Sequence, residues 1–236
     1  MAAPNAKPEQ LPVEALKPPH REILIRAVTK VLSSPLAKET YAQIVDGLPL
    51  SHVAKDCYRI DLSPHHPLLD EHKELCPGVL EEAEKMCSSF DTTTLLMPSK
   101  LVRDYESATP GSSSFSVTLI ELVARAVHQI AAWLYLQDTS RHKDDTLGRW
   151  RPSEKARPFY PRTFPTTLFC HPWYRDYGQY PNGVADSVGY WAEARVLGGV
   201  VLFDRRDPES VEDVAVSTSL KCCLLRVKCH RLTCLC

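Results

Sequence analysis

From Ser116 to Gln137 the chain repeats apolar residues at helical spacing: Leu119, Ile120, Val123, Ala126, Val127, Ile130, Ala131 and Leu134. A stripe this long must be covered by other parts of the chain, so it predicts a central helix on which the rest assembles. Glu121 and Arg125 stand four apart and are expected to pair on its wet face. A membrane span wants about 20 predominantly apolar residues. The run Val117–Leu136 is broken by Glu121, Arg125, His128 and Gln129, which fall close together on a helical wheel. The reading is therefore an amphipathic core helix, with no membrane partner.

Shorter helices are expected before it. Ile23, Leu24, Ala27, Val28 and Val31 give helical periodicity from His20 to Leu32. Ser34 reads as an N-cap with Pro35 at the first helical position, opening a helix that ends near Gly47. Further helices are read at Gly78–Cys87 and Ser99–Tyr105, with a loop at Ala108–Ser114. Arg141–Pro165, punctuated by prolines, reads as a long connection. Then the pattern changes. Val188, Tyr190, Ala192, Ala194 and Val196 share one parity, while Ser187, Trp191, Glu193 and Arg195 take the other. That alternation predicts a strand from Asp186, a turn or bulge at Gly198-Gly199 and a buried strand at Val200–Phe203. Pro181-Asn182-Gly183 supplies a tight turn before it. The fold class expected is α+β: an N-terminal helical portion with one long central amphipathic helix packed on a small C-terminal antiparallel sheet. The domain reading is a mobile arm over 1–19, one globular domain over 20–213, and an atypical Cys-rich tail over 214–236.

Lys plus Arg is 28 and Asp plus Glu is 29, a formal net charge of -1. That balance does not suit a protein that neutralises a phosphate backbone, so no nucleic acid partner is expected. The first residues carry no basic start followed by an apolar run, so a soluble, cytoplasmic protein with reduced cysteines is expected. Five of the nine cysteines (Cys222, Cys223, Cys229, Cys234 and Cys236) fall in the last fifteen residues, with no C-x-x-C pair. This tail is read as an artefact of gene prediction rather than as a metal site.

The aromatic stretch from His171 to Trp191 carries the strongest functional signal. Tyr and Trp give flat contact area with a polar tip, which suits pockets and interfaces. Tyr174, Asp176, Tyr180, Asp186, Tyr190 and Glu193 are the expected ligand-binding residues, and His171 is the only nearby candidate for a catalytic base. The plainer reading is that these aromatics fasten a loop to the strands. His65, His66, Asp70, Glu71 and His72 crowd together, but Pro64 and Pro67 interrupt them and the spacing matches no zinc pattern, so no metal is assigned. His128 sits on the polar face of the long helix and is read as solvated or hydrogen-bonded, or as facing a site between helix and sheet. P-loop, dinucleotide, serine-hydrolase and zinc-protease motifs are absent from the sequence.

Leu168–Glu209, and within it YPNGVADSVGYWAEARVLGGVVLFDR, resembles a family of uncharacterised proteins of filamentous ascomycete fungi. Ile120–Tyr135 (IELVARAVHQIAAWLY) and His142–Asp145 (HKDD) are also similar to that family. The resemblance covers roughly the second half of the chain. It supplies no catalytic residue, fold or cofactor, and implies an accessory role in secondary metabolism. The family continues beyond DRRDPE with ordinary globular sequence where this chain turns to cysteines. Two functions are expected in competition: binding or conversion of a small molecule, and a non-catalytic protein–protein interaction module using the aromatic 171–191 region. Cofactor, enzymatic activity and oligomeric state stay open.

Overall fold

Capping residues set the helix boundaries much as the sequence indicates. The structure, a computed structural model, describes residues 9–57, 66–151, 153, 166–169, 171, 173–174 and 176–201. In chain order its elements are β1 (Gln10–Pro12), α1 (Pro18–Leu32), α2 (Pro35–Asp46), α3 (Ser51–Cys57), α4 (Leu68–Glu71), α5 (Val79–Ser89), β2 (Leu96–Pro98), α6 (Ser99–Ser107), α7 (Ser113–Leu136), α8 (Thr146–Arg149) and α9 (Val184–Leu197). Ser34 caps α2 by accepting the Ala37 N–H, and Ser112 caps α7 by accepting the Phe115 N–H at 3.1 Å. Gly47 closes α2 in the left-handed conformation, with φ 101°.

The long helix α7 is the centre of the core. Helices α1, α2 and α6 pack on it, α9 runs along it, and α2 also packs on α5 and α9. Leu24, Val28, Tyr41, Val45, Leu122, Val127, Ile130, Leu134, Val188 and Trp191 are all buried here. Full burial of an aliphatic side chain of this size contributes about 1.5–3 kcal/mol. The Tyr41 hydroxyl, inside that core, donates to the Val127 carbonyl at 3.2 Å. By length and composition α7 could cross a membrane, yet 56% of its most apolar window is covered by the rest of the fold.

Covering α7 from several sides shifts its buried face from the predicted stripe. Leu122 is fully buried, Ile120 is 53% exposed, and Glu121 is buried instead of lying on the wet face. The predicted Glu121–Arg125 pair does form, at 3.1 Å.

Among the described residues the chain is mostly helical with one small antiparallel sheet, as the α+β expectation has it at that level. The sheet lies elsewhere than predicted. It pairs β1 with β2, Leu11 opposite Met97. Residues 10–16, expected in a mobile arm, are thereby anchored, and Val13 and Leu16 enter the core. The predicted strand from Asp186 is helix α9. Its alternating parity coexists with a helical series, Ala185, Val188, Trp191 and Ala192, all buried. Asp186, Ser187, Gly189 and Glu193 are buried as well, so burial runs round the helix and no polar face marks its period. The Ala-Glu-Ala-Arg-Val-Leu composition favours the helix. Gly198, φ 80°, ends it. Residues 202–203 of the second predicted strand, most of the 141–165 connection's later part, residues 1–8 and the tail from 214 lie outside the described residues.

Candidate functional site

Asp186 and Glu193 are seven residues apart, which on a helix places them on one face two turns from each other. Between them, one turn on, stands Gly189. The imidazole of His128, from the facing α7, occupies the notch this glycine leaves. A Cβ at Gly189 would lie 2.6 Å from both Cδ2 and Nε2 of His128. In that notch His128 Nε2 is 3.2 Å from Asp186 Oδ1, and Nδ1 is 3.7 Å from Glu193 Oε2. Both carboxylates have other duties. Asp186 accepts the Asn182 backbone N–H at 2.8 Å and its side-chain amide at 3.0 Å, which fixes the start of α9. Glu193 accepts the Val201 N–H at 2.6 Å and so holds the segment that follows the helix.

Burial works against charging His128, but the bonds and charges of Asp186 and Glu193 outweigh it and raise its pKa above the ordinary value. Burial works in the same sense on Asp186, and His128 and Asn182 outweigh it, holding that carboxyl below its ordinary range. The site thus favours an imidazolium between two carboxylates.

Aromatic rings extend the wall. Tyr190 meets His128 edge-on at 4.5 Å, Tyr174 stacks on Tyr190 at 4.2 Å and 20°, and Tyr180 leans on Tyr190 at 5.2 Å. Burial raises the pKa of all three phenols. A cavity of about 500 Å³ opens beside them, lined by Glu121, Arg125, His128, Tyr174, Asp186, Tyr190 and Glu193 among others. The volume suits a small organic molecule, for which pockets of about 300–1,000 Å³ are usual. Gln129 fixes the far wall by exchanging hydrogen bonds with Leu96 of β2, at 2.8 and 2.9 Å.

Of the predicted ligand-binding residues, Tyr174, Asp186, Tyr190 and Glu193 line this cavity, and Tyr180 supports Tyr190 from behind. Asp176 is exposed at the head of a 3-10 turn, Tyr177–Gln179. The base candidate His171 belongs to a local turn: its Nδ1 accepts the Trp173 N–H at 3.2 Å and its ring rests 5.2 Å from Tyr174. His128 takes the central place instead, facing a helix rather than the expected sheet. Reading 184–197 as a helix would have put Asp186, Gly189 and Glu193 on one face and made them visible as a set. A second buried group, Asp46, His72 and His142, also escaped the sequence reading, because its members come from distant segments. Comparison with protein-family models, with curated proteins and with solved structures finds no match.

Proposed function

We propose that this protein binds a small organic molecule in the cavity between α7 and α9, and that the preferred ligand carries an aromatic or apolar body and an amine. The observation that carries this is a carboxylate-bracketed imidazole and a stacked tyrosine pair lining one cavity of about 500 Å³. Among the described lining residues, Glu121, Asp186 and Glu193 face Arg125 and a protonated His128, three formal negative charges against two positive. The excess negative charge and the tyrosine π faces both favour a cation.

The same geometry supports binding over proton transfer. Each imidazole nitrogen of His128 is directed at a carboxylate, so neither nitrogen is presented to a ligand. For an accessory role in fungal secondary metabolism the support is the sequence resemblance alone.

The test is thermal stabilisation by three probes of matched size: phenethylamine, 2-phenylethanol and phenylacetate. A ligand at a hundredfold excess over its Kd stabilises the folded state by about 2.7 kcal/mol. The amine is expected to raise the Tm most and phenylacetate least, with the amine effect lost in Tyr190→Ala. An order led by phenylacetate, or a response indifferent to Tyr190→Ala, would defeat the proposal.

A second reading, an interaction module, draws on Trp173 and Tyr177, which are 86% and 45% exposed on the neighbouring loop. It predicts that Trp173→Ser abolishes capture of a partner while leaving probe binding intact.

A further inference from the structure

Asp46, His72 and His142 meet in the interior although they come from three separate parts of the chain. Asp46 is the last residue of α2, His72 directly follows α4, and His142 lies in the connection between α7 and α8. They are 0%, 4% and 7% exposed, and one ligand atom from each lies within 4.8 Å of the others. Both histidines turn Nε2 toward the same carboxylate: His72 Nε2 is 3.5 Å from Asp46 Oδ2, and His142 Nε2 is 3.6 Å from Asp46 Oδ1. The Cys76 sulfur is 3.5 Å from His142 Nε2, and its thiol hydrogen-bonds the Asp46 carboxylate.

The spacings between the rings and the carboxylate favour a metal site over direct hydrogen bonds. A direct N–H···O bond closes to roughly 2.7–3.2 Å. Donor atoms on a tetrahedral zinc ion, with bonds of about 2.0–2.3 Å, stand about 3.3–3.7 Å apart. The two nitrogen–oxygen separations, 3.5 Å to Asp46 Oδ2 and 3.6 Å to Asp46 Oδ1, fall in the second range, and the 3.5 Å nitrogen–sulfur separation fits it as well as it fits a hydrogen bond to sulfur. Asp46 Oδ1 and His72 Nε2 are fully buried yet have no hydrogen-bond partner among the described residues. Buried polar atoms in native proteins are rarely left so, and a bound ion is one of the standard reasons.

The surroundings match a metal centre too. A metal-bound imidazole usually donates its other nitrogen to a carboxylate or a backbone carbonyl. His142 Nδ1 is 2.5 Å from Asp145 Oδ2, and Asp145 is itself held by the Gly148 N–H at 2.8 Å. His72 bonds the Leu48 carbonyl, which falls to Nδ1 because Nε2 has no hydrogen-bond partner among the described residues. Two glycines clamp the segment that carries His142. A Cβ at Gly47 would collide with the Ser140 side chain, and one at Gly148 with the His142 carbonyl. The Cys76 N–H donates to Asp46 Oδ2 at 3.2 Å, orienting the carboxylate between the two rings.

We propose that Asp46, His72 and His142, completed by the Cys76 thiolate, bind one zinc ion that ties α2 to the segments after α4 and after α7. Two imidazoles, one carboxylate and one thiolate suit zinc and not magnesium or calcium, which take oxygen ligands. With four protein donors the site is closed and its role is structural. It stands apart from the α7–α9 cavity and does not rest on the ligand proposed there. Among the described residues of the crowded run, 66–72, His72 takes part and His66 does not. His66 sits against Trp150 at 4.4 Å, and its Nδ1 accepts the Leu68 N–H.

The experiment uses the full-length chain with its five tail cysteines replaced by serine, so that they do not compete. The protein is stripped with a chelator and titrated with Co²⁺ as the spectroscopic stand-in for zinc, then with Zn²⁺ itself. One equivalent of Co²⁺ is expected to give the visible bands of a tetrahedral site, displaced by one equivalent of Zn²⁺. Cys76→Ser should abolish the near-ultraviolet thiolate charge-transfer band, and His72→Gln should abolish stoichiometric binding. Asp145→Asn, which removes no ligand, should weaken affinity by roughly 10- to 100-fold. Absence of a tetrahedral cobalt spectrum at one equivalent, an affinity unchanged by Asp145→Asn, or a spectrum unchanged by Cys76→Ser overturns the proposal. If His72→Gln fails to fold, the parent protein still decides: its Tm must rise with Zn²⁺ and fall with chelator, and a Tm indifferent to both is a refutation.

Discussion

Replacing Gly189 by alanine adds one methyl group to α9 at the point where His128 lies closest. The new carbon would sit 2.6 Å from Cδ2 and Nε2 of His128 and 2.7 Å from Cε1. Ordinary contact is about 3.5–4.0 Å, so either the ring or the helix must retreat by about 1 Å. The ring cannot rotate away cheaply, since that breaks its contacts to Asp186 and Glu193, 3.2 and 3.7 Å distant. Overpacking of this kind costs about 1–3 kcal/mol. Alanine in place of glycine within a helix recovers about 1 kcal/mol. The net expectation is a loss of about 0–2 kcal/mol from overpacking less propensity. The decisive comparison is the same substitution made in a His128→Ala background. There the obstacle is gone and only the propensity gain remains, so Gly189→Ala should stabilise by up to about 1 kcal/mol. The sign of the effect therefore reverses with His128. Urea denaturation of the four proteins in the double-mutant cycle measures it. A stabilising Gly189→Ala of equal size in both backgrounds would show that the notch does not hold the imidazole.

The other expectations rest on single interactions. Folded His128 has a raised pKa, so its contribution to stability is complete below about pH 6.5 and is lost as pH rises through the folded value. Asp186 has a lowered pKa, so its contribution is present above about pH 3.9 and is lost as pH falls through the folded value. Urea midpoints measured across pH should decline on both limbs, and His128→Gln should flatten the alkaline one; an unchanged alkaline limb would rule His128 out as its source. The group's charged and titratable neighbours (Asp186, Glu193, Tyr190, Arg125 and Glu121) are unaltered in that variant. Leu122→Ala, in the fully buried face of α7, should cost about 2–5 kcal/mol, while Ile120→Ala on the exposed side should stay within about 0.5 kcal/mol; comparable losses in chemical denaturation would mean that the buried face is misplaced. Ser112→Ala removes the cap of α7 and should cost about 0.5–2 kcal/mol in the same assay, with Ser112→Asp restoring most of it.

Local chemistry made several elements readable from the sequence. Ser34, Pro35 and Gly47 bound α2 because a side-chain cap, a proline at the first helical position and a left-handed glycine each act within a few residues. The long apolar stripe of α7 likewise required a central helix, since such a face is unstable until covered. The chemistry of Tyr174, Asp186, Tyr190 and Glu193 was legible as residue types, and the four do line one cavity.

Only the tertiary structure decided what those residues surround. Burial on nearly every side removed the amphipathic period of α9 and left a chance alternation that imitates a strand. The face of α7 that is buried depends on which neighbours cover it, which is why Leu122 replaced Ile120. His128 joined Asp186 and Glu193, and Asp46 joined His72 and His142, across long stretches of sequence. A sequence pattern records what lies three or four residues away. These groups were assembled instead by helix packing and by glycines at positions 47, 148 and 189, where two segments approach too closely for any side chain.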